Sequence, residues 1–134
     1  MTNQVALAIG AYRVAASQVH PLVAVVKLFD ETLRRIDLTV AAVEAKRFED
    51  AYIHLSRASL ILRGLAGNLR FDMGGPAGAD MAKTLKQTYV TNMIALHTAY
   101  GKKDAPARYR KIRSGLVELR NAWAEVAGVS ATRE

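Results

Sequence analysis

The chain has 134 residues, of which 51% are apolar and 23% charged, and it contains no cysteine. These values are typical of one globular domain, and they exclude a disordered chain, a disulfide scaffold and a thiolate metal site. The net charge of +7 leaves nucleic acid, an anionic membrane or an acidic protein open as partners. The N-terminus has no secretory pattern and no apolar run approaches the ~20 residues of a membrane span, which predicts a cytoplasmic protein.

The first two periodic segments each predict a long amphipathic helix. The first starts at Pro21, where a helix can begin because a first-turn N–H has no partner. Its apolar residues alternate three and four positions apart, and they are Leu22, Val26, Phe29, Leu33, Ile36, Val40 and Val43. The second segment, about Phe48 to Leu69, carries two adjacent apolar stripes, which indicates contact with more than one neighbouring helix.

Residues 70–80 are predicted to form the main loop of the protein. Three glycines and a proline fall within Gly74–Gly78, a composition that breaks helices. Asp80 is then expected to cap or to start the third helix.

The third and fourth helices follow from two more apolar stripes. The third runs from about Asp80 to Tyr100, with Gly101 as its stop signal. The fourth begins at Asp104, a good N-cap residue, and ends at Gly128. Trp123 continues the stripe of the fourth helix and is interpreted as a core residue.

Short connections between the first two helices and between the last two make neighbouring helices antiparallel. The prediction is therefore an all-α protein, an antiparallel up-down four-helix bundle with a short extra N-terminal helical segment. Residues 1–134 form a single domain, in which residues 1–18 are a cap segment and residues 129–134 a frayed tail.

The chemistry of the common bundle enzymes is missing from the sequence. No glutamate has a histidine three residues later, as a di-iron site requires. The glycine-rich stretch lacks the Lys-Ser/Thr of a phosphate-binding loop. Asp50 and His54 lie four apart and are interpreted as a lone surface pair. We therefore expect no enzyme activity, no metal, no cofactor and no small-molecule substrate.

Basic residues cluster near the start of the fourth helix, opposed only by Asp104. They are Lys102, Lys103, Arg108, Arg110, Lys111 and Arg113. The cluster is either a solvated helix face or a docking patch. The alternative function is thus a basic bundle that binds nucleic acid or another anionic partner, although Tyr109 is the only aromatic residue available for base stacking within the cluster.

Several motifs, in order along most of the chain, resemble the FliS family of flagellin export chaperones. They are Ala11-Tyr12, Pro21-Leu22-Val23 with Leu28-Phe29-Asp30, Gly78-Ala79-Asp80-Met81-Ala82 with Leu85 and Tyr89, and Leu119-Arg120-Asn121-Ala122-Trp123. The chain departs from the family pattern at His20, where the family has Ser, at Glu31, where it has Gly, and in its longer, more Gly/Pro-rich loop.

The resemblance implies a cytoplasmic flagellar secretion chaperone. Such a protein binds the disordered C-terminal segment of flagellin, prevents premature polymerisation and assists export, with the membrane export apparatus as a possible second partner. It further implies no nucleic acid and a monomer or weak homodimer.

An amphipathic client segment laid into an apolar groove is an established recognition mode, and the second and third helices carry surplus apolar residues for it. We expect the client-binding residues to be Tyr12, Ala58, Ile61, Leu65, Met81, Leu85, Tyr89 and Met93. The alternative is that the helical residues are ordinary core and that Tyr12 packs against the end of the bundle.

Overall fold

The computed structural model describes residues 21–69 and 75–131, which form four α-helices. The helices are α1 (Pro21–Glu44), α2 (Phe48–Gly67), α3 (Gly75–Ala99) and α4 (Ala105–Ala127). The described ranges contain no strand, which confirms the all-α prediction. None of these four helices has the length and apolarity to cross a membrane. The expected N-terminal segment, residues 1–18, lies outside the described residues.

The four helices pack as a closed ring in which α1 and α3 each contact α2 and α4. Their directions follow from polar contacts between helices. Asp30 near the start of α1 pairs with Arg120 near the end of α4, whereas Glu44 at the end of α1 pairs with Arg110 at the start of α4. These pairs make α1 and α4 antiparallel. The hydroxyl of Tyr100, just after α3, donates to the carbonyl of Phe48 at the start of α2, so α2 and α3 are antiparallel as well, and the predicted up-down bundle is confirmed.

The apolar stripe of α1 lies in the core, as its spacing predicts. Val26, Phe29 and Ile36 are all within 1% of complete burial. Phe29 packs against Tyr89 of α3 with ring centroids 6.0 Å apart. Because each fully buried large apolar side chain stabilises the fold by roughly 1.5–3 kcal/mol, this stripe supplies a large share of the folding free energy.

Two threonines of α1 are also fully buried, which the stripe alone did not predict. The hydroxyl of Thr32 donates to the carbonyl of Leu28 over 2.9 Å, and that of Thr39 donates to the carbonyl of Arg35 over 2.8 Å. These bonds within the helix satisfy the hydroxyls, so that their burial carries no unpaired polar group.

Helix α3 begins at Gly75 rather than at Asp80, so the loop prediction is wrong for residues 75–79. Pro76 is compatible with the first turn of a helix, because its missing N–H would have no partner there. Gly75 adopts a φ of +65°, a conformation that glycine reaches without strain. Asp80 is consequently an interior residue of α3 and not its cap.

The predicted helix ends are confirmed at two glycines. Gly101 and Gly128 follow α3 and α4 with φ of +83° and +75°. Asp104 does precede α4, but its side chain does not cap the helix. It accepts a hydrogen bond from Nε of Arg108 over 2.7 Å instead. The start of the helix was thus predicted correctly, and the capping role of the Asp104 side chain was wrong.

Arg120 is a buried charged residue, 6% exposed, and it ties three parts of the chain together. Its Nε donates to Asp30 of α1 over 2.8 Å, and its Nη1 donates to the carbonyl of Ser130 over 2.7 Å. The N–H of Val129 also donates to the carbonyl of Ala124. Val129 and Ser130 are thus hydrogen-bonded to α4. The frayed tail over residues 129–134 stays a prediction, and residues 132–134 lie outside the described residues.

Candidate functional site

An apolar depression of about 670 Å³, here called the apolar pocket, opens at the end of the bundle where α1 and α3 begin and α2 ends. All four helices contribute to it. Its walls include Leu22 and Val25 of α1, Leu65 of α2, Leu69 just after α2, Met81, Leu85 and Tyr89 of α3, and Trp123 of α4. None of its lining residues carries a charge at neutral pH.

The first turns of α3 line the pocket with small side chains. Gly78 and Ala82 face this space, where a closed core would need a large apolar residue. Protein interiors are normally packed to crystal-like density, so small residues at this position leave an open space instead of a filled one. The stretch Gly75–Ala82, predicted as a loop over most of its length, therefore shapes the site as a helix.

The structure brings half of the predicted client-binding residues to this pocket. Met81 is 63% exposed at its rim, and Leu85 is half-buried in its wall. Leu65 and Tyr89 are buried at 7% and 1% exposure and form its floor. Of the four predicted residues in the pocket, Met81 and Leu85 are the accessible ones.

The other predicted residues lie elsewhere. Ala58 is completely buried in the core, and Ile61 and Met93 are partly buried side chains packed against it. None of these three lines the apolar pocket. Tyr12 lies outside the described residues. Contact of these four residues with a client stays a prediction.

Sequence reasoning missed the part of the pocket that comes from the start of α1. Leu22 belongs to the predicted stripe, but Val25 stands one position beside it and was not singled out. The available signal was the pair Val25-Val26, which gives the first turns of α1 a wider apolar face than one stripe requires.

Two polar groups meet in the pocket wall. The Nε1 of Trp123 is buried and forms no hydrogen bond of good geometry, although it influences the neighbouring phenol. Burial raises the pKa of Tyr89, and the indole N–H of Trp123 lowers that pKa by a smaller amount. The indole N–H and the phenol thus form a polar pair inside an otherwise apolar wall.

The described lining of the pocket suits the binding of apolar groups. The pocket holds no carboxylate, histidine or basic side chain that would transfer a proton. Within residues 21–69 and 75–131, no three His, Asp or Glu side chains come together as a metal site. Nδ1 of His54 contacts Nη1 of Arg35 over 3.1 Å. Burial lowers the pKa of His54, and the nearby carboxylate of Asp50 opposes that shift.

Comparison with known proteins agrees with the motifs. Residues 6–130 match the model of a family described as Flagellar protein FliS. No curated protein matches the chain significantly. The family match runs through all four helices and through every residue of the apolar pocket. The chain therefore belongs to the FliS family of flagellar export chaperones.

Proposed function

We propose that the protein is a cytoplasmic chaperone that binds the disordered C-terminal segment of flagellin, prevents its premature polymerisation and assists its export. The observation that carries the proposal is the apolar pocket, whose uncharged walls include Leu65, Met81, Leu85 and Tyr89. Membership of the FliS family supports a flagellar client.

The size and lining of the pocket suit apolar side chains of a peptide. Its volume of about 670 Å³ falls within the roughly 300–1,000 Å³ of ligand pockets. Met81 stands at the rim with 63% of its surface exposed, and its unbranched side chain adapts to differently shaped partners. An amphipathic client segment that turns helical would place successive apolar residues into such a site.

The disorder of the client before binding accounts for reversible binding. A segment that is disordered before binding loses conformational entropy when it folds on the chaperone. This ordering typically offsets 2–5 kcal/mol or more of the gross interaction free energy, which keeps the client releasable for export.

Titration calorimetry tests the proposal with the cognate flagellin, once full-length and once without its C-terminal segment. We expect one-to-one binding with a negative heat-capacity change, lost on truncation, because apolar surface is buried. Met81→Glu should weaken binding at least about tenfold, since it places a charge at the apolar rim.

Leu60→Glu is the matched control. Leu60 is 62% exposed, as Met81 is 63% exposed, but it lies on α2 outside the pocket. This variant should bind flagellin as the unmodified protein does. Equal losses in the two variants, or no binding of full-length flagellin, would overturn the proposal.

A further inference from the structure

All sulfur atoms of the chain belong to methionine side chains. The sequence has four methionines and no cysteine, so an oxidant that reaches the protein meets thioethers and no thiol. Met1 and Met73 lie outside the described residues, and Met81 and Met93 both lie on α3. Oxidation of the protein at sulfur is therefore confined to methionine.

The two methionines of α3 differ in their surroundings. Met81 stands at the rim of the apolar pocket and is 63% exposed. Met93 is half-buried, does not line the pocket, and packs against the core. Because oxygen transfer requires the oxidant to touch the sulfur atom, the thioether of Met81 is the more accessible of the two.

Oxidation changes the character of the pocket rim. A methionine sulfoxide is a polar group where the thioether was apolar. In the free protein its oxygen stays in water, since Met81 is mostly exposed. A bound segment that covers the rim would remove this water, and the described lining has no charged side chain to replace it. A polar group that is buried without a partner weakens the interaction.

We propose that Met81 is a redox-sensitive modification site, and that its reversible oxidation to methionine sulfoxide lowers the affinity of the apolar pocket for its client. The inference rests on the proposed function of the pocket, because the client is what covers the rim. The free protein keeps its stability, whereas the complex loses affinity.

The reaction needs an oxidant of the peroxide class. A lone pair of the Met81 sulfur attacks one oxygen of hydrogen peroxide and the O–O bond breaks. The hydroxide that leaves takes up the remaining proton, which gives the sulfoxide and water. Sulfur loses two electrons and the peroxide gains them. In the reverse reaction, a methionine sulfoxide reductase uses a dithiol, which becomes a disulfide while the sulfoxide oxygen leaves as water.

Mass spectrometry of protein treated with hydrogen peroxide tests the accessibility of the site. We expect sulfoxide to form at Met81 before it forms at Met93, and to be removed by a methionine sulfoxide reductase with dithiothreitol. Oxidation of Met93 as fast as that of Met81 would overturn the selectivity on which the proposal depends.

Calorimetry with the flagellin C-terminal segment then measures the effect on binding. Oxidised protein should bind at least about tenfold more weakly than untreated protein, with an unchanged free energy of unfolding, and reductase treatment should restore the affinity. Unchanged affinity after complete oxidation of Met81 would overturn the proposal, as would a loss that the reductase does not reverse.

Three variants assign the effect to one sulfur atom. Met81→Leu keeps the rim apolar and should bind equally well before and after peroxide treatment. Met93→Leu is the matched control and should lose affinity on oxidation as the unmodified protein does. Met81→Gln places an uncharged polar group at the rim and should bind weakly without any oxidant. Equal peroxide sensitivity of Met81→Leu and the unmodified protein would place the responsible group elsewhere.

The neutral apolar dye Nile red separates this inference from the proposed function. We expect the dye to bind the untreated protein, and to bind more weakly after oxidation of the unmodified protein but not of Met81→Leu. Absence of flagellin binding alone would refute the proposed function and leave the dye to decide the redox inference. Dye binding that peroxide does not change would overturn that inference, and a pocket that binds neither ligand would overturn both.

Discussion

The two sides of α4 differ in how they meet their neighbours. Between α4 and α1, ion pairs are spaced along the whole helix–helix interface, and the most buried of them involves Arg120. Against α3, the hydroxyl of Tyr109 donates a buried hydrogen bond to the carbonyl of Leu96, beside an open groove and the apolar pocket. In the proposed function, the interface between α4 and α1 contributes mainly to stability, and the α3 side of α4 contributes to binding.

The largest expected effect comes from comparing a leucine-to-alanine substitution in the core stripe of α1 with the same substitution in the wall of the apolar pocket. Leu33→Ala in α1, at 4% exposure, should lower the free energy of unfolding by about 3 kcal/mol, because it leaves a cavity in the core. Leu85→Ala in the pocket wall should lower it by only about 1 kcal/mol, since this side chain is half-buried. Denaturant unfolding measures both, and equal losses would show that the α3 side is packed as tightly as the core.

The buried hydrogen bond from Tyr109 of α4 to Leu96 of α3 should make the free energy of unfolding depend on pH in the alkaline range. Burial, with a smaller contribution from Tyr100, raises the pKa of Tyr109 to about 12. The folded state therefore holds the phenolic proton more tightly than the unfolded chain, whose tyrosines titrate near 10. The associated stability is fully present below pH 10 and is lost as the pH rises through 12, roughly 2–3 kcal/mol in all.

Tyr109→Phe is the control for this titration. It removes the hydrogen bond to Leu96, so it should cost about 1 kcal/mol at pH 9, and it should show none of the alkaline loss due to the phenol. Unfolding free energies of both proteins at pH 9 and pH 11 give the comparison. The same alkaline loss in both proteins would place the responsible group elsewhere.

A smaller effect compares how much a buried and an exposed ion pair between α1 and α4 contribute to stability. Arg120→Ala should cost about 1–2 kcal/mol, because it leaves the carbonyl of Ser130 and the carboxylate of Asp30 without their donor. Arg110→Ala should cost no more than about 0.5 kcal/mol, since both partners of the Arg110–Glu44 pair are more than half exposed. Denaturant unfolding at low and moderate salt measures both, and an equal cost would mean that burial does not decide the strength of these pairs.

The fold was predictable wherever one apolar stripe faces one core. The stripe of α1 from Val26 to Val40 is buried as its spacing required. The start of α3 was not predictable in this way, because Gly75 and Pro76 are helix breakers in an interior but not in a first turn. Composition alone does not tell these two positions apart.

The candidate site was predicted in part. A surplus of apolar residues pointed to Leu65, Met81, Leu85 and Tyr89, all of which line the apolar pocket. Periodicity identifies the face of a helix but not the depth of each side chain, so the sequence did not distinguish the exposed Met81 from the buried Tyr89.

The basic cluster shows a second limit of sequence reasoning. Arg110 and Arg113 are neutralised by Glu44 and Asp37, which lie 66 and 76 positions away in the chain. Only the antiparallel packing of α1 and α4 brings these charges together. A run of like charges in a sequence therefore overstates the charge that remains on the folded surface.

Trp123 is an intrinsic fluorescent probe of the apolar pocket. It is the one tryptophan of the chain, and its indole lies in the pocket wall with Nε1 buried and without a good partner. Fluorescence excited at the indole band therefore arises at the site itself, with no label attached. A ligand that covers the ring shifts the emission, and unfolding moves it to the red as the ring meets water. The fluorescence emission of Trp123 thus reports both the occupancy of the pocket and the folding of the bundle.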